Sequence, residues 1–266
     1  MDRYRVTDGA GFRLADWDPG ATSGIAGKAE GRALVAELTP RLDELQQLLY
    51  ADGRHRLLVV LQGIDTAGKG GAIKRVFRGM NPSGVRVTSF KAPTGPELAH
   101  DFLWRVHPHV PGDGEVALFD RSHYEDVLIV RVHDLVPKAR WKARYEHIRA
   151  FEQMLVDEGT TIRKFFLHIS KDEQRKRLEA RLRDPRKRWK FRREDLDERS
   201  YWDAYQAAYE EMIQRTATPD APWYVVPSDR KWHRDLVICR ALVDTLERLD
   251  LSFPQPEEDL DDVVVT

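Results

Sequence analysis

Three carboxylates, a lysine and an arginine stand in two short stretches where a phosphate could be held and moved. Asp65 and Lys69 belong to Gly63-Ile64-Asp65-Thr66-Ala67-Gly68-Lys69. Asp120, Arg121 and Glu125 belong to Asp120-Arg121-Ser122-His123-Tyr124-Glu125-Asp126. Successive N–H groups of a glycine-bounded loop, and the helix N-terminus after it, attract anions; Lys69 adds a full positive charge. Gly63 and Gly68 allow the tight path that a Cβ resists. Position 70 is Gly, where a nucleotide triphosphatase carries Ser or Thr for magnesium. A carboxylate inside an anion cradle is out of place unless a divalent cation joins it, so Asp65 replaces the missing hydroxyl near a metal. Asp120 follows the apolar run Glu115–Phe119, the Walker-B arrangement, with its carboxylate set to bind magnesium directly or through water. Arg121 can hold a phosphate by a bidentate contact.

Elements must place these groups. Leu57–Leu61 reads as a buried strand, and Gly70–Arg78 as the helix after the loop, which makes a phosphate-binding P-loop. Val85–Phe90 is a second strand with β-branched alternation. Thr94 caps a helix over Pro96–Val106. Glu115–Phe119 is a third strand, and a helix over Ser122–Val132 brings Glu125 near its end. Lys138–Glu158 is a long helix, and Thr161–Ile169 a fourth strand buried on both faces. Ser170 and Glu173 form a capping box. Helix Ser200–Thr216, strand Ala221–Val226 and helix Lys231–Leu249 follow. Before all of these, Gly31–Tyr50 carries a helical leucine stripe. Alternating strands and helices imply a parallel sheet covered on both faces, with the loop and Asp120 at strand C-terminal ends where ligands bind. The expectation is a three-layer α/β/α P-loop kinase fold with a mainly parallel five-stranded sheet. Residues 1–30 read as an extended arm, 31–252 as the phosphotransferase domain and 253–266 as an acidic tail.

Between Gln174 and Arg193 the chain carries eleven cations against Glu179 and Asp184, a net +9 on a nearly neutral protein. A run of this kind is usually a solvated face, but Asp184-Pro185 breaks the helix and Trp189 and Phe191 interleave with the charges. The density favours a basic helical lid over phosphates, at about residues 181–198.

Lys and Arg (43) nearly balance Asp and Glu (44). No global charge points to nucleic acid or membrane, and neither is expected as a partner. Cys239 is alone, which excludes an internal disulfide or a cysteine metal cage. With no signal peptide and no apolar stretch near ~18 residues, the expected compartment is the cytoplasm.

Gly63-Ile-Asp-Thr-Ala-Gly-Lys-Gly-Gly71, Asn81-Pro-Ser-Gly-Val-Arg-Val87, Asp120-Arg-Ser-His-Tyr-Glu-Asp-Val-Leu128, Phe165-Phe-Leu-His-Ile-Ser170 and Lys187-Arg-Trp-Lys-Phe191 together resemble the polyphosphate kinase 2 family. The resemblance runs from about residue 4 to Pro256. The form Arg-Ser-His-Tyr-Glu-Asp, in place of Arg-Ser-Trp-Tyr-Asn-Arg, resembles the subgroup that phosphorylates both nucleoside mono- and diphosphates. That subgroup carries Asn where this chain has Asp120, so Asp120 as a metal ligand rests on its position alone.

The resemblance implies magnesium-dependent transfer from inorganic polyphosphate to AMP and then ADP, reversible in principle, with manganese as an alternative ion. Asp65, Lys69 and Arg121 are then catalytic, Asp65 and Glu125 lie near the metal, and Asp120 joins them as a metal ligand by its position at the strand end and not by the resemblance. Gly63, Ala67, Gly68 and Gly70 cradle phosphate, Lys74, Arg75 and Arg78 continue a positive track, and Arg181 joins from the lid. Thr94, Arg121, Arg186, Lys187, Trp189 and Lys190 face the nucleotide (AMP, ADP or ATP). A homodimer or homotetramer is expected. Two other readings stay open: an ATP-dependent kinase of the same fold, against which Gly70 and the track argue, and a non-catalytic polyphosphate- or nucleotide-binding protein, against which Asp65, Lys69 and Arg121 argue.

Overall fold

The computed structural model describes residues 1–22, 24–191 and 193–256, with the Lys190 side chain outside that description. The expected nucleotide contact of Lys190, the cation at Arg192 and the acidic tail from residue 257 onward lie outside the described residues. The chain runs β1 (Arg5–Val6), α1 (Lys28–Asp52), β2 (Arg56–Gln62), α2 (Lys69–Val76), β3 (Val85–Ser89), α3 (Gly95–Leu98), β4 (Val116–Asp120) and α4 (Ile129–Val132). It continues through α5 (Lys138–Asp157), β5 (Thr160–His168), α6 (Lys171–Arg183), α7 (Glu194–Ser200), α8 (Trp202–Thr216), β6 (Trp223–Pro227) and α9 (Lys231–Leu246).

Among the described residues the sheet has six strands in the order β1-β6-β5-β2-β4-β3. All pairings are parallel except β1 with β6. The extra strand corrects the expected five. It comes from the arm, where Arg5 and Val6 pair with Tyr224 and Trp223; two residues are too short to show a period. Tyr4, Val6, Phe12 and Leu14 of the arm are buried.

β2 is the centre. Leu57–Leu61 are all buried, as a parallel strand covered on both faces requires. α1 and α2 pack on α9, and α4 and α5 pack on α8, which gives a helical layer on each side. The chain after β2 goes first to one side (β3 and β4) and then to the other (β5 and β6). The order therefore reverses at β2, the place where doubly wound sheets bind ligands. Leu61 and Asp120 are paired in register, so both candidate motifs leave the sheet side by side.

Three local expectations change. The helix expected over Pro96–Val106 ends at Leu98. Asp101 Oδ1 accepts from the N–H groups of Leu103 and Trp104, a turn that competes with helix. The helix expected over Ser122–Val132 splits into a 3-10 turn, His123–Asp126, and α4. The Ser170 capping box forms by half. Ser170 Oγ accepts from Glu173 N at 3.1 Å, but Ser170 N donates to Asp229 and the Glu173 carboxylate accepts from Arg177.

One buried polar network crosses the core. Lys164 Nζ donates to Glu152 Oε2 (2.6 Å), Thr216 O (2.7 Å) and Tyr124 Oη (3.0 Å), and Glu152 Oε1 faces His123 Nε2 at 3.2 Å. It ties the 3-10 turn after Asp120 to α5, β5 and α8. No helix among the described residues is long and apolar enough to cross a membrane.

Candidate active site

The loop after β2 takes the path its glycines allow. Gly63 and Gly68 have φ of 154° and 110°. A Cβ at Gly68 would stand 1.9 Å from Arg234 Nη1, so the position also needs the missing side chain. Thr66 lies at φ 70° without being glycine. A β-branched residue there costs on the order of 1–3 kcal/mol and persists only where its surroundings over-determine it.

Lys69 opens α2. Its buried side chain turns back over the loop, and Nζ donates to Gly63 O at 2.6 Å. Burial, helped by Arg121, lowers its pKa; Asp65, Asp120 and Glu125 oppose that shift. Lys69 thus shares one electrostatic field with all three candidate carboxylates.

Arg121 leaves β4 at φ 63° and donates its N–H to Leu61 O, which locks it to the end of β2. Its guanidinium meets Asp65 Oδ1 at 2.5 Å. Burial would raise the Asp65 carboxyl, but Lys69 and Arg121 outweigh it and hold the group below its ordinary value. Arg181 adds a smaller contribution of the same sign, so the end of α6 reaches this site electrostatically. Glu125 goes the other way: burial pushes its carboxyl up, and Arg121 and Lys69 offset this only in part. The Gln62 amide, turned so that its oxygen accepts from Ser122 N at 3.1 Å, brings its nitrogen to 3.0 Å from Glu125 Oε1.

Asp65, Arg121 and Glu125 line a cavity of about 210 Å³ whose far wall is Tyr205, Tyr209 and Glu198. Tyr205 donates to Glu198 Oε2 at 2.8 Å. Burial pushes both phenols well above their usual range. Glu194 and Asp195 line it as well, so five carboxylates face Arg121 there; a phosphate would enter beside Arg121 together with a metal ion, and a second group would lie against the tyrosines.

Other expected residues stand elsewhere. The Thr94 N–H and hydroxyl both donate to Glu97, so its polar atoms serve the start of α3. Arg75 is turned to Asp235, away from a track along α2. Lys74 is exposed on α2, whereas Arg78 lies beyond the helix end at Val76. Arg186 and Lys187 pair with Asp184, and Trp189 is 76% exposed. The segment expected as a lid is the end of α6, a 3-10 turn over Arg188–Lys190, and α7. The sequence reading missed Gln62, Tyr205, Tyr209, Arg177 and Arg234; their roles depend on partners far along the chain.

No three His, Cys, Asp or Glu side chains among the described residues converge on an ion position. The donor chemistry still suits magnesium. That ion takes one or two carboxylates and fills its octahedron with substrate phosphates and water, and Asp65 and Glu125 flank the cradle.

The family described as Polyphosphate kinase 2 matches residues 26–254. The chain belongs to this family. It is 55% identical to the AMP/ADP-polyphosphate phosphotransferase of Meiothermus ruber over 266 residues, all of both chains. It is 44% identical to the ADP-polyphosphate phosphotransferase of Rhodopseudomonas palustris, covering 95% of this chain and 92% of the relative. The crystal structure of polyphosphate kinase 2 from Arthrobacter aurescens superimposes with a TM-score of 0.93 at 49% identity, covering 97% of this chain and 92% of that one. The polyphosphate kinase 2 fold is therefore the one described above.

Proposed function

We propose that this chain transfers the terminal phosphoryl group of inorganic polyphosphate to AMP, and then to ADP, with a divalent ion. The observation that carries the reading is the Asp65–Arg121 pair at the mouth of a cradle closed by Lys69. The full-length likeness to an AMP/ADP-polyphosphate phosphotransferase supports the choice of substrates.

The terminal phosphate of the donor lies against the loop N–H groups and Lys69. Arg121 turns from Asp65 to the phosphate oxygens, making the bidentate contact its fork suits. An oxygen of the acceptor phosphate, already deprotonated near neutral pH, attacks the terminal phosphorus in line. The bond to the bridging oxygen breaks, and polyphosphate one unit shorter leaves with the electron pair. Lys69 and Arg121 neutralise the charge spread over the transferring group, which is most of what this chemistry asks of a protein. Magnesium, or manganese, held by Asp65 and Glu125 with Asp120 near by, supplies further charge neutralisation when bound. Tyr205 and Tyr209 wall the acceptor side, and the basic segment 181–198 covers the phosphates.

The reading implies a cytoplasmic setting, where these nucleotides are found, and assembly as a homodimer or homotetramer. The test is product analysis with long-chain polyphosphate, magnesium, and AMP or ADP. ADP and ATP should appear, and a chelator should stop both. Acceptance of ADP alone would remove AMP from the reading. Turnover with ATP but not polyphosphate would overturn it.

A further inference from the structure

We infer that Arg177, outside the reacting centre, is a positioning residue that turns the cradle toward its phosphate. It rests on the reading above, in which the cradle holds the donor.

Arg177 lies on α6 and is buried. Nη1 donates to Thr66 O (3.0 Å) and Ala67 O (2.8 Å), and Nη2 to Ser228 O (2.5 Å) and Asp229 O (3.1 Å). Nε donates to Glu173 Oε1 at 2.7 Å. A guanidinium has five N–H donors in a fixed fork, and here it meets five acceptors.

Two of those acceptors are carbonyls of the cradle itself. A peptide unit is planar, so a carbonyl drawn back toward the protein aims the N–H of the next residue the other way. Gripping Ala67 O therefore fixes the orientation of the Gly68 N–H, while gripping Thr66 O steadies the turn in which the Ala67 N–H donates to Ile64 O at 3.0 Å. It also holds Thr66 in the left-handed conformation that a β-branched residue resists. Arg234 stands beside it under Gly68, fixed by two bonds to Asp235. Two guanidinium charges thus lie directly behind the cradle without occupying it.

The helix matters as much as the contact. α6 carries Arg177 in its middle and ends at Arg183, inside the basic segment. Arg177 and Arg181 are one turn apart, and Arg181 reaches Asp65 electrostatically. One helix therefore carries both a cation of the covering segment and the clamp on the loop, so a shift of α6 changes both together.

The experiment compares Arg177→Lys and Arg177→Ala with the parent enzyme. It follows kcat/KM for polyphosphate, KM for ADP, binding of tripolyphosphate by calorimetry, and thermal melts. An ammonium keeps the charge but cannot reach five acceptors. Both variants should lose about 100-fold in kcat/KM for polyphosphate, the scale of one preorganised contact. Tripolyphosphate binding should weaken, and KM for ADP should stay within about twofold. Low-millimolar guanidinium should restore part of the Arg177→Ala activity. Arg175→Ala, an exposed cation of the same helix, is the unchanged control. Arg177→Lys within about threefold of the parent overturns the inference. So does a loss shared equally by donor and acceptor with no guanidinium rescue, which marks a merely structural residue. If Arg177→Ala does not fold, Arg177→Lys alone decides. A parent enzyme without polyphosphate turnover overturns the donor reading instead, and tripolyphosphate binding then still tests Arg177.

Discussion

Arg121 and Asp65 join the loops that leave β4 and β2 through one 2.5 Å contact, with side chains 37% and 39% exposed. Neighbouring backbone on both loops is left-handed, at Arg121 itself and at Thr66. The sheet register, which pairs Leu61 with Asp120, holds the two residues close.

Asp65→Asn and Lys69→Ala should each lower turnover at least ~10²-fold. Asp65→Asn should lower the melting temperature by only a few degrees, since a half-exposed pair is worth on the order of 1 kcal/mol. Circular dichroism and a melt check the fold, and steady-state kinetics the loss. Near-normal rates in both variants would take the loop out of the mechanism.

Glu125 should set the acid limb of activity. Its carboxyl is raised by burial, so the folded protein binds that proton more tightly than the unfolded chain. The stability from this group is full at low pH and is lost as pH rises through the raised pKa. Glu125→Gln should therefore raise Tm at neutral pH, by an amount that shrinks on acidification. If Glu125 must be ionised, kcat/KM falls with acid above the ordinary glutamate range, and the substitution abolishes that limb along with much of the rate. Asp65 cannot cause such a limb, because its carboxyl is held low. An unchanged limb in the variant would assign it to another group.

Glu152→Gln tests the core network. It would leave Lys164 fully buried with its charge uncompensated, which costs about 3–5 kcal/mol. Chemical denaturation should show the loss at unchanged m-value. A loss below about 1 kcal/mol would mean that Lys164 gives up its proton when Glu152 is neutral.

Neutralising Lys74 and Arg78 together should harm long-chain polyphosphate more than a short donor. Lys74 is five residues past Lys69, roughly 7 Å along the axis. A short donor at the cradle need not reach it. KM across donor lengths at two salt concentrations is the measurement, and the loss should flatten the salt dependence. Arg75→Ala should not share this selectivity, because Arg75 is committed to Asp235. Equal losses for all lengths would make the track a solvated face.

The parts legible in the sequence are those whose signals are local. Gly63, Gly68 and Lys69 announce the loop by spacing, and Leu57–Leu61 announce the strand below it. Asp120 is readable because an apolar strand ends there. Arg177 is not, since Ser228 and Asp229 lie 51 and 52 residues away and only the closed sheet brings them to it. Arg75 reads as one more cation on a helix until Asp235, 160 residues on, turns it aside. Thr94 is legible as a helix cap from the proline after it, but that its polar atoms serve Glu97 is not. The short α3 reflects a single side chain, Asp101, that outcompetes helix for two N–H groups.

The two-residue strand β1 has a consequence for handling the protein. It occupies the outer edge of β6, whose five residues are all buried. Trimming the first eight residues would uncover Trp223 and Tyr224 and leave unpaired backbone donors and acceptors beside an apolar surface. Such an edge recruits strands from other molecules. The shortened chain should therefore precipitate or form higher oligomers on warming, well before its catalytic loop is disturbed.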